Sequence, residues 1–231
     1  MLAHDLVPLR YPQPTPLLAY HLAYVPAVLQ RAVRMLCNSE VTAWEVHDRL
    51  RVPTKKLVPI RLGFHPGSLK PWASTGGTRF WCWGGTIPTR TWSRCCGPSP
   101  PPRSVLHPSS GGPPHDRRYT PRLQALAEEL GIAIAPRCRW SAWVSDLERL
   151  ELLNRCRALV IVSLWEGFGL PALEAKACGA AVIAAAAGAL PEVVGTVGLL
   201  VDPRSVGQIA DAMGACLDQG SLLQRAATFS W

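Results

Sequence analysis

The chain has 231 residues, 48% of them hydrophobic and 17% charged, which is enough to bury one large or two small cores. Its net charge of +8 points toward nucleic acid or anionic lipid only until it is located: residues 49–115 hold ten Lys or Arg and no acid, leaving 14 basic against 16 acidic residues elsewhere. A nucleic-acid reader needs a basic face on a folded module, so no nucleic-acid partner is expected, and no apolar run reaches the roughly eighteen residues of a membrane span. The start MLAHDLVPLRYP has neither a basic n-region nor an apolar h-region, so a cytoplasmic location is expected. Eight cysteines without C-x-x-C spacing read as reduced thiols.

In chain order, residues 16–34 repeat Leu, Ala, Tyr and Val at helical spacing around Pro26, which predicts a helix kinked or divided there. Met35-Leu36-Cys37 predicts a short strand. Ser39 then caps a predicted helix over 40–50, with an apolar stripe through Val41, Trp44 and Leu50. A strand is predicted over 57–62 and a linker over 63–75. Residues 76–112 carry no amphipathic period but three Trp, three Cys and a proline run, and are expected to be irregular and disordered. A zinc site at Cys82, Cys95 and Cys96 fails on spacing, and no metal is expected. Helices are predicted over 121–130 and 146–156, with a poorly patterned stretch at 132–143 between them.

The most informative stretch is 158–203, which reads as strand, loop, helix, strand, short helix, strand. The apolar run 158–163 is too short for a helix and suits a strand buried on both faces of a parallel sheet. Glu166 follows between two aromatics, with Gly167 and Gly169 placed to let the backbone approach a ligand or adopt positive φ. Pro171 suits a first helical turn and Gly179 a helix end. On one uninterrupted helix Glu166 and Glu174 would lie about 80° apart, at roughly 100° per residue. The glycine break instead makes Glu166 a loop residue at the carboxyl end of a strand and Glu174 a residue of the following helix, so both can face one crevice. Ligands of open α/β sheets bind at that edge, and a glycine-led helix start suits a phosphate. A G-x-G-x-x-G after a strand, which a dehydrogenase would need, is lacking. After residue 203, Ser205 caps a predicted helix through Ile209, Met213 and Leu217.

Glu166-Gly-Phe-Gly-Leu-Pro-x-Leu-Glu174 with Ala-Cys-Gly after it, then the runs 188–195 and 198–203, resembles the E-x7-E signature of retaining glycosyltransferases of family four. The resemblance implies the GT-B fold, an α/β architecture of two Rossmann-like parallel-sheet domains. Here it implies 1–62 as a remnant of the N-terminal, acceptor-side domain and 63–75 as the linker. Residues 113–231 would be the C-terminal, nucleotide-sugar-binding domain, with the chain truncated at both ends. By the same resemblance Glu166 lies against the donor sugar, Glu174 holds the ribose, and the backbone of Gly167, Phe168, Gly169 and Leu170 meets the diphosphate. His4, in a His-Asp stretch similar to one late in the family's N-domain, lines the cleft as a second catalytic candidate. Lys176 departs from the family's usual methionine and reads as a solvated lysine.

The implied activity is transfer of a hexose from a nucleotide diphosphate sugar such as a UDP- or GDP-hexose, with retention, to an acceptor hydroxyl. The setting is glycan or polysaccharide biosynthesis, with a lipid-linked or glycan acceptor, peripheral membrane contact, and no cofactor beyond the donor substrate. One part of the pattern is missing: the Arg and Lys expected to clamp the diphosphate are not in register. Residues 85–94 can be encoded so that dropping two nucleotides yields His-Asp-Thr-His-Lys-Asn-Leu-Val-Ser, the expected motif. Residues 76–112 are therefore expected to be translated out of frame, and a non-catalytic fragment with weak or no donor binding is the alternative.

Overall fold

The computed structural model describes residues 2–12, 20–63, 69, 79–82 and 144–218. The elements expected at 121–130 and 132–143, the zinc candidates Cys95 and Cys96, and most of 76–112 lie outside these.

Three short apolar segments, β1 (Leu2–Ala3), β2 (Met35–Cys37) and β3 (Leu57–Pro59), form a parallel sheet in the order β1-β2-β3. The last strand is shorter than the predicted 57–62. Its crossovers carry α1 (Val7–Arg10), α2 (Val25–Arg31) and α3 (Glu40–Leu50). A π-helical turn over Tyr20–Tyr24 leads into α2. Pro26, in the first turn of α2, has no N–H to continue a ladder from residues 20–24, so the helix divides beside it as predicted. Leu6, Val25, Leu29, Met35, Cys37, Ala43, Val46 and Val52 are the buried core of this unit.

The buried strip of α3 is not the predicted one. Trp44 is 56% exposed, Val41 and Leu50 are only partly buried, and the inward residues are Thr42, Ala43, Glu45 and Val46. Reading the strip from hydrophobicity alone fails because two of its buried members, Thr42 and Glu45, are polar, and each has a hydrogen-bond partner in the other half of the chain.

The second sheet is also parallel, in the order β4-β5-β6-β7, with β4 at Arg79–Cys82, β5 at Cys156–Ile161, β6 at Ala181–Ala185 and β7 at Leu199–Val201. Strand β4 corrects the expectation that 76–112 is wholly irregular. Phe80, Trp81 and Cys82 are a continuous apolar run, and all three are buried against β5. Strand alternation sends side chains to opposite faces. Phe80, Val160, Ile183 and Val201 pack under Ile209 and Met213 of α7 (Val206–Asp218). Trp81, Leu159, Ile161 and Val182 pack on the other face with Leu153, Leu173 and Val194.

Those last three residues belong to α4 (Asp146–Arg155), α5 (Leu170–Ala177) and α6 (Leu190–Val194). Each start has a local cause. Ser145 and Glu148 form a reciprocal capping box on α4, the Gln208 N–H donates to Ser205 Oγ at 3.3 Å ahead of α7, and Gly169 precedes α5 with φ +102°. The architecture is a pair of parallel, Rossmann-like α/β layers.

Candidate functional site

The carboxyl ends of the two sheets meet. Residues 4–5 follow β1, Asn38 and Ser39 follow β2, and 162–169 follow β5. Ser39 Oγ donates to the Gly167 carbonyl at 2.7 Å, and Thr42 Oγ1 donates to the same oxygen at 3.1 Å. The Glu40 N–H, at the start of α3, donates to both carboxylate oxygens of Glu192 at 3.2 and 3.1 Å. A carboxylate there satisfies an orphan amide and complements the helix dipole.

Gly167 is required by close approach, but the chain itself occupies the space. A Cβ at 167 would collide with the His4 carbonyl oxygen and with Asp5 Cβ. The sequence reading left that space for a ligand; it is filled by the segment after β1, which brings His4 and the Glu166 loop together. The His4 side chain is exposed, while its carbonyl sits 3.4 Å from Thr42 Oγ1.

Glu166 occupies the loop at the end of β5, as expected. Its carbonyl accepts from the Ala189 N–H at 3.0 Å, and Gly188, at φ +57°, passes so close that a Cβ there would meet Glu166 O at 2.5 Å. Burial pushes the Glu166 carboxyl above its usual range and the neighbouring charge of Asp5 adds to that, while Ser163 acts in the opposite direction. No partner meets hydrogen-bond geometry at Ser163 Oγ itself; that atom and Asn38 Oδ1 are both buried and unpartnered at the facing sheet edges.

Trp165, one residue earlier, is held from two directions. Its Nε1 donates to Glu45 Oε2 at 3.1 Å, and the Arg10 guanidinium carbon lies 3.3 Å from its ring centroid. Glu45 Oε1 also accepts from Arg10 at 3.0 Å and Arg49 at 3.2 Å, so this fully buried carboxylate is compensated by two cations and an indole N–H.

Glu174 lies in the second turn of α5 with its side chain 16% exposed, 3.4 Å from Arg149. Burial raises its carboxyl from the usual value, Arg149 opposes the rise, and Asp146 adds to it. Phe168 is buried in the apolar layer with Trp81 and Leu173, so only its backbone is left to meet a ligand. Gly169 takes the positive φ expected of it, and Leu170 is exposed at the first position of α5.

Lys176 corrects the reading of a solvated lysine. It is 6% exposed, and its Nζ donates to the carbonyls of Val193 at 2.7 Å and Val194 at 3.2 Å, closing the end of α6. Arg149, Trp165, Ser39, Thr42 and Glu45 escaped the sequence reading as site residues. Only the interrupted apolar period at Thr42 and Glu45 was available to signal any of them. Among the described residues, no cluster of His, Cys, Asp or Glu is suited to a metal, and no helix is long and apolar enough to cross a membrane.

Comparison with known proteins supplies the context. Residues 110–219 match the family model described as glycosyl transferases group 1. The MMP alpha-(1->4)-mannosyltransferase of Mycolicibacterium hassiacum is 42% identical over 105 residues, covering 44% of this chain and 25% of that protein. The D-inositol 3-phosphate glycosyltransferase of Mycobacterium tuberculosis is 38% identical over 135 residues, 53% of this chain and 28% of that protein. The chain thus spans about a quarter of the length of these relatives. Among solved structures, Anabaena HepE in complex with UDP and glucose superposes with a TM-score of 0.81 at 18% identity, covering 98% of this chain and 64% of that one. Sucrose-phosphate synthase from Thermosynechococcus elongatus gives 0.78 at 20% identity, over 98% of this chain and 60% of that one. The chain has the GT-B α/β fold, and residues 110–219 are similar to the glycosyl transferases group 1 family.

Proposed function

We propose that this chain, whose residues 110–219 match the glycosyl transferases group 1 model, is the donor-binding part of a retaining, family-four-type enzyme that transfers a hexose from a nucleotide diphosphate sugar to an acceptor hydroxyl. The supporting observation is the meeting of two carboxyl-terminal sheet edges at Glu166 and Gly167, with Glu174 in the second turn of the helix that follows. In this reading the bond between the sugar's anomeric carbon and the diphosphate oxygen breaks, the nucleotide leaves with the electron pair, and the acceptor oxygen bonds to the same carbon on the same face. The Glu166 carboxylate, at the end of β5, can accept hydrogen bonds from sugar hydroxyls. Glu174 takes the ribose hydroxyls, oriented by Arg149, and the start of α5 offers amide N–H groups to the diphosphate. His4 lies beside the loop on the acceptor side. The acceptor is a glycan or a lipid-linked saccharide, with peripheral membrane contact where it is lipid-linked.

The test is isothermal titration of the chain with UDP and GDP beside Glu174→Ala. The expected result is saturable binding by one nucleotide, weakened about tenfold or more by the substitution, consistent with loss of a charged hydrogen-bond pair of roughly 1.5–3 kcal/mol. Equal affinity of the two proteins would refute the ribose role. A second reading, a non-catalytic chain, is favoured by residues 76–112, where the expected clamp Arg and Lys are not in register. Binding without any turnover of UDP- or GDP-hexoses, followed by recovery of turnover when the alternative frame is restored there, would establish it.

A further inference from the structure

The polar strip of α3 has a geometry that its own helix does not need. Ser39, Thr42 and Glu45 stand three residues apart along one side of the helix. Ser39 and Thr42 both donate to the Gly167 carbonyl, and Glu45 accepts from the indole of Trp165. Trp165 and Gly167 are the two neighbours of Glu166. The Thr42 hydroxyl has one proton and two acceptors in reach, Gly167 O at 3.1 Å and His4 O at 3.4 Å, and the shorter contact takes it. A trans peptide points its carbonyl and the next N–H in opposite directions, so turning Gly167 C=O toward α3 turns the Phe168 N–H away from α3. The Glu166 carbonyl is fixed separately by Ala189.

We infer that Ser39, Thr42 and Glu45 form a three-point clasp by which the first sheet's helix α3 sets the conformation of Glu166, making them positioning residues for the sugar-contacting carboxylate. The inference rests on the proposed role of Glu166. Its physical content is that contacts from α3 restrain the Trp165 side chain before Glu166 and the Gly167 carbonyl after it, while the Glu166 side chain is left to meet the ligand. Arg10 and Arg49 neutralise the buried Glu45, and Arg10 also covers the Trp165 ring, so the clasp has its own counter-charges.

The test uses the full chain and three variants: Thr42→Val, which keeps the shape and removes the hydroxyl; Thr42→Ser, which keeps the hydroxyl; and Trp165→Phe, which removes the indole N–H. Hydrogen exchange of the peptide covering 162–170 is expected to speed up about tenfold in Thr42→Val and Trp165→Phe, with β6 and α7 unchanged and Thr42→Ser close to wild type. In titrations, UDP-glucose and GDP-mannose are compared with bare UDP and GDP. The first two variants are expected to lose affinity for the nucleotide sugar while keeping it for the bare nucleotide, because Glu166 faces the sugar. Unchanged exchange at 162–170, or faster exchange throughout the chain, would overturn the clasp. Equal loss for sugar and bare nucleotide would overturn its positioning role. If wild type binds no nucleotide at all, faster exchange confined to 162–170 supports the clasp, and only the nucleotide-sugar reading falls.

Discussion

Glu166 illustrates how one residue can be held at a cost to the fold. Its folded-state carboxyl lies above the unfolded value near 4.3, so between the two the native state binds more protons and stability falls as pH rises. Above both values the protein carries the full penalty of ionising this partly buried carboxylate, and below the unfolded value that penalty is gone. Glu166→Gln removes the ionisable group, so it should unfold at a higher temperature than wild type at pH 7, with the gap closing as pH drops below about 4. Thermal melts of both proteins across that range would decide it, and a constant gap would mean that the Glu166 carboxyl is not raised on folding. The E-x7-E pair itself was legible in the sequence because glycines and proline mark the loop and the helix start so sharply. Arg149 was not: nothing in a single sequence distinguishes an arginine that pairs with its own helix from one that also reaches the next.

At the scale of elements, apolar strands with glycine-bounded crossovers were readable, while helices with polar buried faces were not. The β5, β6 and β7 strands follow the predicted order of strand, helix, strand, short helix, strand, and the run predicted as a strand over 158–163 is a strand over Cys156–Ile161. Helix α3 misled because Thr42 and Glu45 are buried against partners more than a hundred residues away. Lys176 misled for a related reason. An isolated lysine on a short helix suggests solvent, yet here its ammonium caps the carboxyl end of α6. Its burial depresses its pKa, a cost that the two carbonyl contacts offset. Lys176→Ala should therefore destabilise by about 2–4 kcal/mol, combining two unpaired carbonyls with a cavity. Lys176→Met fills the volume and should cost only about 1–2 kcal/mol. Urea denaturation of the pair separates the two contributions; equal costs would show that packing contributes nothing.

For the whole molecule, the two sheets are unequally supported. Eight buried side chains stabilise the first sheet among the described residues, against twelve and seventeen on the two faces of the second. Amides of β2 should thus open with a free energy several kcal/mol below that of β5 and β6, measurable by native-state hydrogen exchange in increasing denaturant; equal values would mean that the two units open together.

The hydrogen bonds from α3 to the Glu166 loop join partners 128, 125 and 120 positions apart. Closing a loop of that length costs about 3 kcal/mol more than closing one of four residues, at about 0.6 kcal/mol per doubling. The second sheet can therefore gain its core first, and the surroundings of Glu166 form only after the segment after β1 has returned to fill the space above Gly167. During synthesis the site is thus among the last features to form. A cut between residues 63 and 79 would leave each apolar core on its own piece of chain and no covalent link between the loop and its holder, so competence at the site reports that the two halves are joined.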